Sequence, residues 1–228
     1  MNYGETLVYW FLRLNGFFPL RNFVLHLPKQ HPVEGMERDQ KGTADADILA
    51  IRLPHVNEEV GGQEKDWSNI FKDWGFTLET EIIALIVEVK TGDLSKKDII
   101  DNATKAFGDN RIYAAIRRTG MFDEAASRKA LEGLREQKVY STTGPERIGK
   151  LFVTRQASVT YQDSAGKCEM SVSSLLEAHA FHITLDECEQ FIQERMKKYR
   201  DRKENDRMFF PDDLIQYFAW KAGVNEGR

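Results

Sequence analysis

Cysteine is scarce: the 228-residue chain holds two, Cys168 and Cys188. They are too few and too far apart for a disulfide framework or a zinc site, and they read as reduced thiols suited to the cytoplasm. Long apolar runs are missing too. No stretch of 18 or more apolar residues occurs, which excludes a membrane-spanning helix. Leu7 to Leu14 is apolar, but a basic leader and a small-residue cleavage site are both lacking, so no secretory signal is expected. Nor is there a surplus of basic charge. The formal net charge is -4, so bulk charge does not advertise a nucleic-acid binder. No internal repeat or low-complexity tract interrupts the chain.

What is present is enough apolar material for one core. With 41% hydrophobic and 30% charged residues, residues 1–228 read as a single domain with some added structure. Charge is unevenly spread. Residues 54–81 carry seven acids against Lys65 and Lys72, and residues 195–207 carry seven bases against three acids. The basic run suits a solvated helix face and equally a local basic groove on an acidic protein.

The pattern of elements is that of an α/β chain. Leu7, Trp10, Phe11 and Leu14 fall at helical spacing over 3–15, and Gly16-Phe17 has the form of a left-handed C-cap with its hydrophobic contact. A strand over 22–27 is expected after a turn at Pro19, then a polar loop over 28–44. Ile48 to Ile51 reads as a short strand that opens after Asp47 and is ended by Pro54. Residues 54–81 read as an insertion with one helical turn near 67–74. Ile82 to Val89 is almost continuously apolar, as a strand buried on both faces should be. Ser95 with Asp98 forms a capping box that opens a helix through Phe107. Ile112–Arg118 extends that helical region, and Asp123–Lys138 is a further amphipathic helix. Leu151–Arg155 is a strand, with Ser158–Tyr161 as a short partner. A second capping box, Thr184 with Glu187, opens a C-terminal helical extension over 184–222, whose last helix spans roughly 211–222.

The chemistry gathers at the end of the most apolar strand. Glu88 and Lys90 lie two apart, so both point to one face while Val87 and Val89 point to the other. A carboxylate and an ammonium there are costly unless paired, hydrated or bound to a metal. Asp47 stands in a similar place before Ile48. If the two strands pair, two carboxylates and one amine converge. That trio suits phosphodiester hydrolysis: hard oxygen ligands for Mg2+ or Mn2+, a metal-activated water, and a lysine that orients the water or stabilises charge at phosphorus. The backbone carbonyl of Val89 is a further hard ligand.

Asp47 followed by an apolar strand, and Glu88-Val89-Lys90 closing another, resembles the PD-(D/E)XK nuclease superfamily. The resemblance covers about residues 3–118. It implies a restriction-endonuclease-like core, that is, a small mixed β-sheet flanked by helices. Here the core would carry an insertion between the two motif strands and extra C-terminal helices. It also implies a metal-dependent, cytoplasmic DNA nuclease with Asp47, Glu88 and Lys90 as catalytic residues. Many members carry a glutamate on the first helix that adds to the metal site, and Glu5 matches it; a first-turn acid favoured by the helix dipole is the other reading of Glu5. The family's proline before the first aspartate is replaced by Ala46. The 41 positions between Asp47 and Glu88 require the insertion to loop out of the sheet, at a cost that grows slowly with length. Asp45 would face the same way as Asp47 and offers it support.

Other groups carry weaker signals. Lys105, Arg117 and Arg118 suit phosphate contacts or solvated helix faces, as do Arg128, Lys129, Arg135 and Lys138. Trp67 and Trp74 suit base stacking or a mini-core beneath the insertion. His179 and His182 lack a third ligand. Two competing functions remain: a nuclease-fold binding or assembly module without turnover, and an RNA nuclease. Many such nucleases pair as homodimers to cut two strands, and no dimerisation stripe is evident here.

Overall fold

The computed structural model describes residues 3–25, 44–56, 67–164 and 166–199. The chain opens with helix α1 (Tyr3–Leu14). Its end is a Schellman turn: the Phe17 amide reaches the Leu12 carbonyl at 3.1 Å and the Gly16 amide the Arg13 carbonyl at 3.0 Å. Gly16 takes φ 82°, a conformation open to glycine, and Phe17 is buried behind it.

Strands β1 (Phe18–Leu25) and β2 (Ala44–Arg52) follow. Strand β1 begins four residues before the expected 22 and runs through Pro19, so no turn forms there. Among the described residues it pairs only with β2, and an edge strand tolerates a proline because one side of its backbone has no ladder partner to satisfy. His26 and Leu27 lie outside the described residues. Strand β2 also starts early, so Asp47 stands inside it rather than before it. A short helix, α2 (Ile70–Asp73), leads to β3 (Ile82–Lys90). The part of the expected insertion that is described does not form a separate mini-core. Phe71, Phe76 and Leu78 are buried in the main core, and Trp67 and Trp74 pack against it.

Helix α3 (Lys96–Ala106) carries the full Ser95–Asp98 capping box. Gly108 separates it from α4 (Asp109–Thr119), which is therefore its own helix and not an extension. Then come α5 (Glu124–Glu136), β4 (Val139–Ser141), β5 (Glu146–Thr154), and the hairpin β6 (Ser158–Asp163) with β7 (Gly166–Ser171). The expected partnership of 158–161 with 151–155 is not made; β6 pairs with β7 in a two-stranded sheet of its own. The described chain ends with α6 (Val172–Leu175), β8 (Phe181–Thr184) and α7 (Leu185–Tyr199). The Thr184–Glu187 box is present, with the Glu187 amide donating to Thr184 Oγ1 at 3.1 Å and the Thr184 amide to Glu187 Oε2 at 2.7 Å. The expected helix over 211–222 falls outside the described residues.

The result is a mixed α/β fold with an open sheet in the order β1-β2-β3-β5-β4, with β8 also on β5. β3 pairs in parallel with β5, and β5 with β8; the other pairs of this sheet are antiparallel. Each sheet face carries its own core. Ile48, Leu85, Val87, Val89 and Val153 pack beneath α1 and α7, whereas Leu49, Ala84, Ile86 and Ile148 pack beneath α4 and α5. Farther along this second face, Phe152 joins α3 and α6 in a smaller cluster. Strand β3 is thus covered on both sides, which is why its sequence shows no alternation. Among the described residues no helix is long and apolar enough to cross a membrane.

Candidate functional site: two carboxylates at the end of a buried strand

Pairing of β2 with β3 runs from Arg52↔Ile83 to Ile48↔Val87. Asp47 and Glu88 stand one step beyond the last of these pairs, close enough for the charge of Asp47 to act on Glu88. Glu88 shares the face of Ile86, beneath α4, whose Arg111 reaches it. Past Ile48 a side chain takes over from the ladder: Asp47 Oδ2 accepts the Val89 amide at 2.7 Å. The N–H and C=O of one strand residue project toward the same neighbour, so the Val89 carbonyl also faces the β2 side.

Glu88 is 8% exposed. Lys90 Nζ donates to its Oε1 at 2.5 Å, and Arg111 Nη1 from α4 stands 3.8 Å from Oε2. Burial, and next the charge of Asp47, push the Glu88 carboxyl above the usual carboxylate range, while Lys90 and Arg111 oppose the rise. A second anion therefore acts on Glu88 despite two cations nearby. The donor set fits a magnesium-like ion, which takes one or two carboxylates and completes its shell with water and substrate oxygens. Among the described residues no three His, Cys, Asp or Glu side chains gather into a closed metal cage. Glu5, half-buried on α1, is accordingly not joined to Asp47 and Glu88 as a third acid.

The surroundings hold the strand end in place. Gly4 of α1 lies so close to Thr91 and Val89 that a Cβ would collide with Thr91 Cγ2. The loop after Lys90 is braced by Gln156, whose amide donates to the Leu94 carbonyl at 2.6 Å and whose oxygen accepts the Leu94 amide at 3.1 Å. Thr154, at the end of β5, donates to the Gln156 carbonyl at 2.6 Å and meets His182 Nε2 at 2.8 Å.

Other expected residues are placed elsewhere. Asp45 pairs with Val24 through the backbone of β2. Lys105, Arg117 and Arg118 are exposed in the last turns of α3 and α4, and the cation that reaches Glu88 from the helix layer is Arg111. Arg111 escaped the sequence reading because which flank of α4 meets the sheet is a tertiary fact. Its one signal is the i, i+4, i+7 stripe with Ala115 and Arg118 beside the apolar face. Arg128 and Arg135 form ion pairs with Glu124 and Asp109 on helix surfaces, and Lys138 lies over the Phe181 ring. Trp74 stacks on Phe181 at 4.8 Å, and Trp67 lies beneath Arg52, so both rings serve the core. His179 is exposed, whereas His182 is held between Thr154 and Ser173, with burial lowering its pKa to about 4. Both cysteines are free. Comparison of the chain with protein-family models, with curated proteins and with solved structures finds no match.

Proposed function

We propose that this protein is a divalent-cation-dependent nuclease of the PD-(D/E)XK, restriction-endonuclease-like kind that hydrolyses DNA phosphodiester bonds. The observation that carries the reading is Glu88: a buried carboxylate near Asp47 of the neighbouring strand, with Lys90 donating to its Oε1. Like charges set side by side, one of them buried, are costly, and a shared cation relieves that cost. The order of one helix, three antiparallel strands, a helical crossover and a parallel strand supports the fold part of the proposal.

In this reading Asp47 and Glu88 hold the ion, with the Val89 carbonyl beside them. Magnesium or manganese, when bound, supplies Lewis acidity and a water of lowered pKa. Lys90, anchored on Glu88, orients the attacking water and offsets negative charge growing on the phosphorus oxygens. The fit of α1 against Thr91 and the Gln156 brace keep the strand end from shifting. Glu5 has no part in the proposal.

The test is incubation with plasmid, linear, single-stranded and branched DNA, and with RNA, in magnesium, manganese or chelator. Metal-dependent DNA cleavage is expected, lowered by about a thousand-fold or more in Asp47→Asn, Glu88→Gln and Lys90→Ala while thermal unfolding stays cooperative. Equal activity in wild type and all three variants contradicts the reading. Metal binding without turnover favours a binding module instead, and preference for RNA moves the substrate class.

A further inference from the structure

Arg111 is the second cation beside Glu88. It stands in the first turn of α4 with its side chain 28% exposed, reaching down to Glu88 from the helix layer. Lys90 already supplies the close, charge-assisted partner of that carboxylate at 2.5 Å. The Arg111 contact, at 3.8 Å, is a long-range attraction and too long for a hydrogen bond. A guanidinium is a planar fork of five donors, matched to the paired oxygens of a phosphate. Here that fork stands at the rim of a carboxylate pair, partly open to solvent, on the face where a backbone phosphate would have to approach.

We propose that Arg111 is a phosphate ligand of the site. Its guanidinium binds a non-bridging oxygen of the phosphodiester presented to Asp47 and Glu88, and its contact with Glu88 is the resting position it leaves when nucleic acid arrives. The proposal rests on the nuclease reading above. It assigns the phosphate grip to Arg111 rather than to the exposed Lys105, Arg117 and Arg118, which lie in the last turns of their helices.

A charge-balancing role and a phosphate-binding role separate once Glu88 loses its charge. In Glu88→Gln a mere counter-ion has nothing left to neutralise, whereas a phosphate ligand is set free to bind. The experiment measures fluorescence anisotropy of a labelled duplex in chelator, across a series of salt concentrations. It compares Glu88→Gln with Glu88→Gln/Arg111→Met and Glu88→Gln/Arg111→Lys, each checked for cooperative unfolding. Loss of the guanidinium is expected to weaken binding about tenfold. It should also reduce the slope of log affinity against log salt by about 0.9, one phosphate's share for a duplex. Lysine should restore the slope, which depends on charge, but only part of the affinity, which depends on the fork. Unchanged affinity and slope in Arg111→Met overturn this inference while leaving the nuclease reading intact. Failure of Glu88→Gln to bind nucleic acid, together with no cleavage by wild type, overturns both.

Discussion

The protein buries charge at the end of α1 and at the end of β3, and it does so in opposite ways. At the end of α1 two buried arginines meet backbone carbonyls. Arg52 donates to Asn15 O at 3.1 Å and also to Leu78 O, and Arg195 of α7 donates to Leu14 O. The Leu14 and Asn15 carbonyls belong to a helix terminus, where intrahelical donors run out and the dipole favours cations. Each charge there answers an acceptor the fold has left open. At the end of β3 the two carboxylates lie beside each other, and one is pushed toward its neutral form by burial and by its neighbour. Buried charge alone therefore marks nothing, since both ends have it. A buried carboxylate whose neighbour is a second anion is a candidate site for a cation that arrives from outside.

This contrast makes measurable claims, the largest at the α1 end. Arg52→Ala should lower unfolding free energy by about 3 kcal/mol, because it strands buried carbonyls and removes a fully buried side chain. Glu88→Gln should leave stability unchanged or raise it, because a carboxyl held above its usual pKa opposes folding at neutral pH. Denaturant titrations of the two variants check the pair, and equal losses would erase the distinction drawn here.

Lys150 sharpens the comparison at an intermediate scale. It is 2% exposed, donates to the Leu134 carbonyl in the last turn of α5, and lies near the Phe107 ring. Burial lowers its pKa to about 8. Between pH 8 and its ordinary 10.5 the unfolded chain holds a proton that the folded protein has lost, so stability rises with pH across that window. Lys150→Met should stabilise the protein at neutral pH by about 1 kcal/mol and lose that rise, as read by thermal unfolding at several pH values. A flat difference between wild type and variant from neutral pH to 10 would contradict it.

The smallest effect belongs to His182. With a folded pKa of about 4 against an ordinary 6.5, it is neutral at physiological pH. Between those values the unfolded chain binds the proton, so stability falls as pH drops through the window. His182→Gln should be near neutral in effect at pH 7 and should show a shallower loss between pH 6.5 and 4. An identical acid profile would mean that burial does not lower the His182 pKa as described.

Where the sequence was legible, local rules agreed with tertiary demands. The run 82–87 is apolar because both faces are covered, and the Ser95 and Thr184 capping boxes mark their helices to the residue. Glu88 and Lys90 could be placed together because strand alternation sets which side chains of one strand share a face, whereas Asp47 joins them only through the pairing of β2 with β3. Legibility failed where tertiary context overrides composition. The first half of β5 carries Glu146, Arg147 and Lys150, polar residues tolerated beside an edge and under α5, so the strand was expected only from Leu151. Strand β4 is three residues long and follows α5 with two residues between, leaving no pattern to detect. Strand β1 hides behind Pro19, and β6 finds its partner in β7, a strand whose small and polar residues give no apolar run.

The central claim is that Asp47 and Glu88 share one divalent cation, and calorimetric titration of manganese into the protein at neutral pH tests it most directly. The account predicts a single site in the wild type that disappears in Asp47→Asn and again in Glu88→Gln. Binding of equal strength in all three proteins, or none in the wild type, would contradict it.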